Sequence, residues 1–236
     1  MGQALDYLVI VGFSRSGTTS LFNYLSDHPE VSVSKRKELN YFNNIEIKNM
    51  RPIGGKNLEP YYLNFFREKK GVKIDATPEY LSNLDSIRVL HDTLKDTNYK
   101  IVIMVRDRYE RLESWFAYGR MKGIIKSKDS LNKILMNDDV NTSVTARELF
   151  LRENALNYYS EIIRKVQEIV SDERLIILRS SDLRVDARKI MMALAGLMGI
   201  SMQFYQNYNF KIYNRSSQKS YIFVIYWIKI KRFLRT

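Results

Sequence analysis

An apolar run, Tyr7-Leu8-Val9-Ile10-Val11, gives way at Gly12 to a short loop that closes at Gly17 and runs into Thr18-Thr19-Ser20-Leu21. This order predicts a buried strand, a glycine-bounded loop and the start of a helix. Such a turn aims several backbone N–H groups and the positive end of a helix at one point, which suits a phosphate. The spacing is nearly that of the nucleoside-triphosphate loop, G-x-x-x-x-G-K-[ST]. One position differs: Thr18 stands where that loop carries Lys, and the loop's one cation is Arg15, three residues earlier. The loop Lys reaches the β- and γ-phosphates, and the hydroxyl after it holds Mg²⁺. A loop without that Lys points to a ligand with a 5′-phosphate group and no γ-phosphate to transfer.

The alternation that begins here continues along the chain. Residues 72–77, closed by Pro78, read as a short strand, and so do 99–105 and 174–178. Helical patterns cover 18–27, 84–96, 108–121, 146–170 and 186–198, the last with Gly199 as its C-terminal cap. Segments 43–58 and 123–145 are polar and turn-rich. Strands interleaved with helices predict an α/β fold, a P-loop-like doubly wound parallel sheet flanked by helices. In such sheets ligands sit at the carboxyl ends of strands. Without repeats or a composition break, residues 1–236 read as a single domain.

The chain holds no cysteine and only two histidines, His28 and His91. That excludes a disulfide framework, a Cys nucleophile and a Cys zinc site, and argues against a His-rich metal site. The first strand starts too near Met1 to leave room for a signal peptide, and Asp6 stands where a myristoylation motif needs Ser or Thr. No apolar run approaches the roughly 18 residues that span a bilayer. A cytoplasmic protein is the expectation. The net charge of +12 calls for an anionic partner, or else reflects ordinary surface lysine. Segment 221–236 is apolar and then basic, a C-terminal helix with Phe223, Trp227, Ile230 and Leu234 on one face. It supports either packing on the core or, through 221–235, a peripheral contact with an anionic membrane.

Two further segments carry chemistry. Arg106 ends the 99–105 strand and Ser114 lies eight residues on, two turns into the next helix. An Arg and a hydroxyl so placed can grip one phosphate; alternatively Arg106 pairs with Asp107, Glu110 or Glu113. In Lys35-Arg36-Lys37-Glu38-Leu39-Asn40-Tyr41-Phe42, one carboxylate lies among three cations. Glu38 could take a proton from a substrate hydroxyl while the cations meet charge on a transferred group. The bland alternative is a solvated charged turn.

Together these segments resemble the sulfotransferases that use 3′-phosphoadenosine 5′-phosphosulfate (PAPS), and among them the heparan-sulfate-type carbohydrate O-sulfotransferases. The family's 5′-phosphosulfate loop is matched by Arg15-Ser16-Gly17-Thr18-Thr19-Ser20-Leu21, and its Arg/Ser pair for the 3′-phosphate by Arg106 and Ser114. Its Lys-Glu-x-His-Phe-Phe segment is matched by Lys37 to Phe42, with Asn40 in place of His. Its Glu-Lys-[Ser/Thr]-Pro-x-Tyr strand end looks like Asp75-Ala76-Thr77-Pro78-Glu79-Tyr80, with Ala76 in place of Lys. Its Glu-Asp-Leu turn is echoed by Ser181-Asp182-Leu183, and its basic cofactor lid by Asn214 to Lys219.

The resemblance implies transfer of the PAPS sulfuryl group to a hydroxyl of a carbohydrate or glycolipid, with 3′,5′-bisphosphoadenosine (PAP) as the other product. It implies Glu38 as general base, with Arg15 and Lys37 neutralising the sulfuryl and bridging oxygens. Arg15, Ser16, Gly17, Thr18 and Thr19 would cradle the 5′ end of the cofactor, Arg106 and Ser114 the 3′-phosphate, and Arg215 the lid side. No metal and no nucleic acid are needed. The rival reading is a P-loop-type nucleotide-dependent kinase, for which Asp75 is the nearest magnesium-binding candidate. A second is a nucleic-acid-binding module, suggested only by the charge.

Overall fold

The structure is a computed structural model that describes residues 4–13, 15–44, 58–68, 70–121, 125, 158–211 and 213. The chain divides into two compact units, Met1–Arg106 with Tyr159–Lys211, and Asp107–Tyr158 with Ile212–Thr236.

The first unit is built on a five-stranded parallel sheet. Its strands are β1 (Tyr7–Gly12), β2 (Val31–Val33), β3 (Val72–Ala76), β4 (Tyr99–Val105) and β5 (Leu175–Arg179), in the order β2-β3-β1-β4-β5. Every residue of β1 is buried, as expected of a central parallel strand covered on both faces. Tyr7 registers with Lys73 on one side and with Tyr99 on the other. The chain therefore runs from β1 to the β2 edge, returns to β3, and crosses to β4 on the far side of β1. All five carboxyl ends leave by the same edge, and the direction of winding changes about β1, where ligands bind in folds of this kind.

The first unit's helices are α1 (Thr18–Ser26), α2 (Glu59–Leu63) and α3 (Leu84–Leu94), followed later by α5 (Tyr158–Gln167), α6 (Ser180–Val185), α7 (Ala187–Met198) and α8 (Gln203–Gln206). Local chemistry sets several ends. Asn83 Oδ1 accepts from the Asp85 amide at 3.0 Å and starts α3, and Asp186 Oδ1 accepts from the Lys189 amide at 2.9 Å and starts α7. Gly199 closes α7 at φ 72°, as the sequence predicts. In the second unit the described helix is α4 (Arg108–Met121). Asp107 Oδ1 accepts there from the Tyr109 and Glu110 amides at 3.0 and 3.1 Å.

Strand β2 is the element the sequence does not announce. It is three residues long with Ser32 at its centre, too short for a period to show. Its Ser32 hydroxyl donates to the Glu68 carbonyl at 2.7 Å and accepts from the Glu68 amide at 2.9 Å, pinning a later stretch of chain beside the edge. The helix expected over 146–170 is described only from Tyr158, and the 221–236 helix lies outside the described residues.

Candidate functional site

Five segments leave the carboxyl edge of the sheet: those after β1, β2, β3, β4 and β5. The loop after β1 carries the first group of expected site residues. Gly12 is required there by contact: a Cβ on it would sit 2.7 Å from the Met104 carbonyl oxygen of β4. Gly17 caps α1 at φ 91°, a left-handed conformation open to glycine at little cost. No side chain caps α1; the Ser20 and Leu21 amides donate to the Gly17 carbonyl, and the Thr18 and Thr19 amides ahead of them precede the intrahelical ladder. The Ser16 amide donates to the Phe13 carbonyl at 3.1 Å, folding the loop back on the strand. Phe13 stacks on Tyr159 of α5 at 4.0 Å between ring centres.

Arg15 holds φ 67°, unusual for a residue with a side chain. Arg106, at the end of β4, donates from Nη1 to the Arg15 carbonyl at 3.1 Å. Arg106 is thus a strut of the β1 loop as well as a candidate phosphate ligand. Of the acidic partners that the sequence offered Arg106, Asp107 caps α4 through its own side chain.

Two hydroxyls at this place are buried without a partner, those of Ser16 and Ser180. Ser180 follows β5, and its Cβ lies 3.5 Å from where a Cβ on Gly17 would stand. A buried hydroxyl left unpaired costs about 1–3 kcal/mol, and a ligand oxygen would relieve both. Sequence reasoning passed over Ser180 and dwelt on its neighbours Ser181 to Leu183. The signal available was its place directly after an apolar strand, the place Arg106 also occupies.

The segment after β2 carries the second group. The Ser34 amide donates to the Ile74 carbonyl at 2.9 Å and the Lys35 amide to the Phe65 carbonyl at 2.8 Å, so the chain stays on the sheet edge. Lys37 Nζ lies 3.1 Å from Glu38 Oε1. The Glu38 side chain is 40% exposed, accessible to an incoming hydroxyl. Asn40, which stands where the resembling family has His, adopts φ 56°. Asn tolerates the left-handed region better than most residues with a side chain. Its Oδ1 accepts from Asn43 Nδ2 at 3.0 Å, and Asn43 Oδ1 accepts from the Ser86 hydroxyl at 2.6 Å. Asn40 therefore shapes a turn.

An open cavity of about 350 Å³ lies beside this turn, lined among others by Arg36, Asn40, Tyr41, Asn43, Asn44 and Phe65. The Tyr41 hydroxyl is buried and unpartnered. Burial, and then the nearby Tyr61 hydroxyl, push its pKa up to about 12.

Asp75 corrects one expectation. The sequence offers it as the nearest magnesium-binding aspartate for a kinase. It is fully buried; Oδ1 accepts from the Thr77 hydroxyl at 2.8 Å, and Oδ2 accepts from the hydroxyls of Tyr62 and Tyr80, each at 2.9 Å. A carboxylate so enclosed meets neither a metal nor a substrate. Among the described residues no cluster of His, Asp or Glu could hold a metal ion.

The chain matches the family model described as "Sulfotransferase domain" over residues 5–223. The chain belongs to the sulfotransferase family. Among curated proteins it is similar to the membrane-associated sulfotransferase kil1 of Dictyostelium discoideum, 32% identical over 114 residues, which are 48% of this chain and 23% of that protein. Among solved structures, the sulfotransferase of Alicyclobacillus acidocaldarius superposes with a TM-score of 0.63 at 17% identity, over 97% of this chain and 91% of that one. Mouse sulfotransferase SULT7A1, solved with PAP, superposes with a TM-score of 0.51 at 20% identity, over 83% of this chain and 60% of that one. The doubly wound parallel sheet of this chain is thus the sheet of these solved structures, and the family match sets the kinase reading aside.

The structure brings Arg15, Ser16, Gly17, Thr18 and Thr19 together with Arg106 at one corner, and pairs Lys37 with Glu38 on the edge of the same sheet. Ser114 lies buried on α4, in the second unit. Arg215 lies outside the described residues.

Proposed function

We propose that this chain is a PAPS-dependent sulfotransferase acting on a hydroxyl of a carbohydrate or glycolipid, with residues 1–236 as one catalytic domain. The observation that carries the donor reading is the β1 loop: an uncapped helix N-terminus, a buried unpartnered Ser16 hydroxyl, and Arg15 and Arg106 in place of a loop Lys. The family match across both units supports a single domain. PAP bound to the mouse relative supports the same class of donor.

In this reading PAPS supplies an activated sulfuryl group. Ser16, Gly17, Thr18 and Thr19 hold the 5′-phosphate through amides and hydroxyls, and Arg106 and Ser114 hold the 3′-phosphate, with Arg215 on the lid side. The acceptor oxygen forms a bond to sulfur as the bond from sulfur to the 5′-phosphate oxygen breaks, and its proton passes to Glu38. Arg15 and Lys37 meet the charge that develops on the sulfuryl and bridging oxygens. Positioning and charge stabilisation are the chain's main contributions.

The acceptor class rests on the cavity beside the Asn40 turn, which follows Glu38 in the chain. Three carboxamides, one guanidinium and the rings of Tyr41 and Phe65 line it, a mixture that suits a polyhydroxylated ring with an anionic substituent. The Dictyostelium relative is described as membrane-associated, which favours an acceptor at a lipid surface, reached through the basic segment 221–235. Incubation with radiolabelled PAPS and a panel of oligosaccharides, glycolipids and simple alcohols tests the reading. Label should pass to a sugar-bearing acceptor without added metal. Transfer only to simple alcohols would overturn the acceptor class, and ATP turnover without PAPS turnover would overturn the donor.

A further inference from the structure

Thr77 directly follows β3 and precedes the short turn Pro78–Ser82, the position from which a hydroxyl usually caps the turn that follows. It does not cap it. Its Oγ1 instead accepts from the amides of Leu39 and Asn40 at 3.0 and 3.3 Å, and donates to Asp75 Oδ1 at 2.8 Å. With two N–H groups occupying its lone pairs, the single hydroxyl proton has one direction left, toward Asp75. Asp75 is in turn fixed by the hydroxyls of Tyr62 from α2 and Tyr80 from the following turn. Thr77 and Asp75 are each 0% exposed. The two amides held belong to the residues directly after Glu38, on a stretch that no helix or strand supports.

We propose that Asp75 and Thr77 form a positioning pair that anchors the Leu39–Asn40 backbone to the end of β3 and thereby fixes where Glu38 stands. The proposal rests on the reading of Glu38 as general base. Burying a carboxyl this deeply penalises its ionised form by desolvation. An apolar residue would have filled the same space more cheaply. A buried network whose members are all satisfied specifies one local arrangement, and here the arrangement specified is that of the candidate base. Asn40 adds a second tie from the other side, through Asn43 to Ser86 of α3. The backbone directly after the base is thus tied both to the residue after β3 and to helix α3, and the Glu38 side chain remains accessible.

The test compares Thr77→Val, which keeps the shape and deletes the hydroxyl, with Thr77→Ser, which keeps the hydroxyl. Thr77→Val should lower kcat about a hundredfold, the scale of a misplaced reacting group. KM for the acceptor should change little, and PAP affinity by calorimetry not at all. Thr77→Ser should restore kcat. Loss of PAP affinity in step with kcat would overturn the proposal, because it would mark a general loosening of the sheet edge. Asp75→Asn should stay active, since one carboxamide oxygen still accepts the Thr77 hydroxyl; a folded Asp75→Asn variant without turnover would also overturn it, because the Thr77 anchor would then be intact without supporting catalysis.

If Thr77→Val fails to fold, amide hydrogen exchange on the wild type decides. The Leu39 and Asn40 amides should be protected to the level of β3, and fast exchange there would refute the anchor. If Glu38→Gln keeps full turnover, the reading of Glu38 fails by itself, while the exchange result still reports on the anchor.

Discussion

Replacing Arg106 by Ala separates two roles that one guanidinium holds. In the structure Nη1 donates to the Arg15 carbonyl at 3.1 Å, and Arg15 sits at φ 67°. A non-glycine residue in that region carries about 1–3 kcal/mol of strain, and a charged hydrogen bond of this kind contributes about 1.5–3 kcal/mol. The two nearly balance, so Arg15 should relax once Arg106 is gone. Any ligand that needs the loop in its present shape must then draw Arg15 back. At about 1.4 kcal/mol per decade, AMP, which has only the 5′-phosphate, should bind about ten- to a hundredfold more weakly. PAP should lose that and the 3′-phosphate contact as well, a further loss of at least about 2 kcal/mol. Calorimetry with AMP and PAP on the wild type, Arg106→Ala and Arg106→Lys reads both. Lys keeps the charge, but its compact ammonium lacks the planar fork that can serve a carbonyl and a phosphate together, so it should restore PAP affinity only in part. Unchanged AMP affinity in Arg106→Ala would refute the strut. Equal losses for AMP and PAP would refute the 3′-phosphate assignment.

Glu38→Gln should reduce kcat by about 10²–10⁴-fold, the usual contribution of a general base, with PAP affinity intact; near-normal turnover would move the base elsewhere. Burial raises the pKa of Asp75 above its ordinary 3.8, against the opposing pull of three hydroxyl donors and Lys37. A carboxyl whose folded value is raised gives stability that is full below pH 3.8 and lost as pH rises through the folded value. Urea unfolding at stepped pH should therefore show the stability of the wild type falling relative to Asp75→Asn as pH rises, and a constant gap would refute this. Residues 211–235 hold seven Lys or Arg and no acidic residue. Each basic group near an anionic bilayer contributes about 1 kcal/mol, so the full chain should co-sediment with phosphatidylserine vesicles at low salt and release at high salt. Absence of binding, or unfolding on deletion of 221–236, would make this segment structural.

The β1 strand, its loop and the start of α1 are legible in the sequence because each depends on neighbours in the chain: an apolar run, a glycine able to hold φ 91°, an uncapped helix start. The same locality makes β3, β4, α3, α4 and α7 readable to within a residue or two of their observed ends. Lys37 and Glu38, adjacent in the chain, could be seen as a pair before any fold was known.

The remainder of the site was decided by which strand ends the fold brings side by side. Nothing local in Arg106 says that it will support the backbone of Arg15, 91 residues away. Nothing in Thr77 says that it will leave its own turn uncapped to hold an amide 38 residues earlier. Asp75 reads from the sequence as a magnesium-binding candidate because its sequence neighbours do not show the tyrosine from α2 that closes over it. Hydrophobic period and turn chemistry act over a few residues, and they fix the elements. Hydrogen bonds between the ends of parallel strands act over the whole chain, because parallel neighbours are separated by at least one crossover. Those bonds, made only once the sheet is assembled in the order β2-β3-β1-β4-β5, set the geometry in which the residues named by the sequence can act.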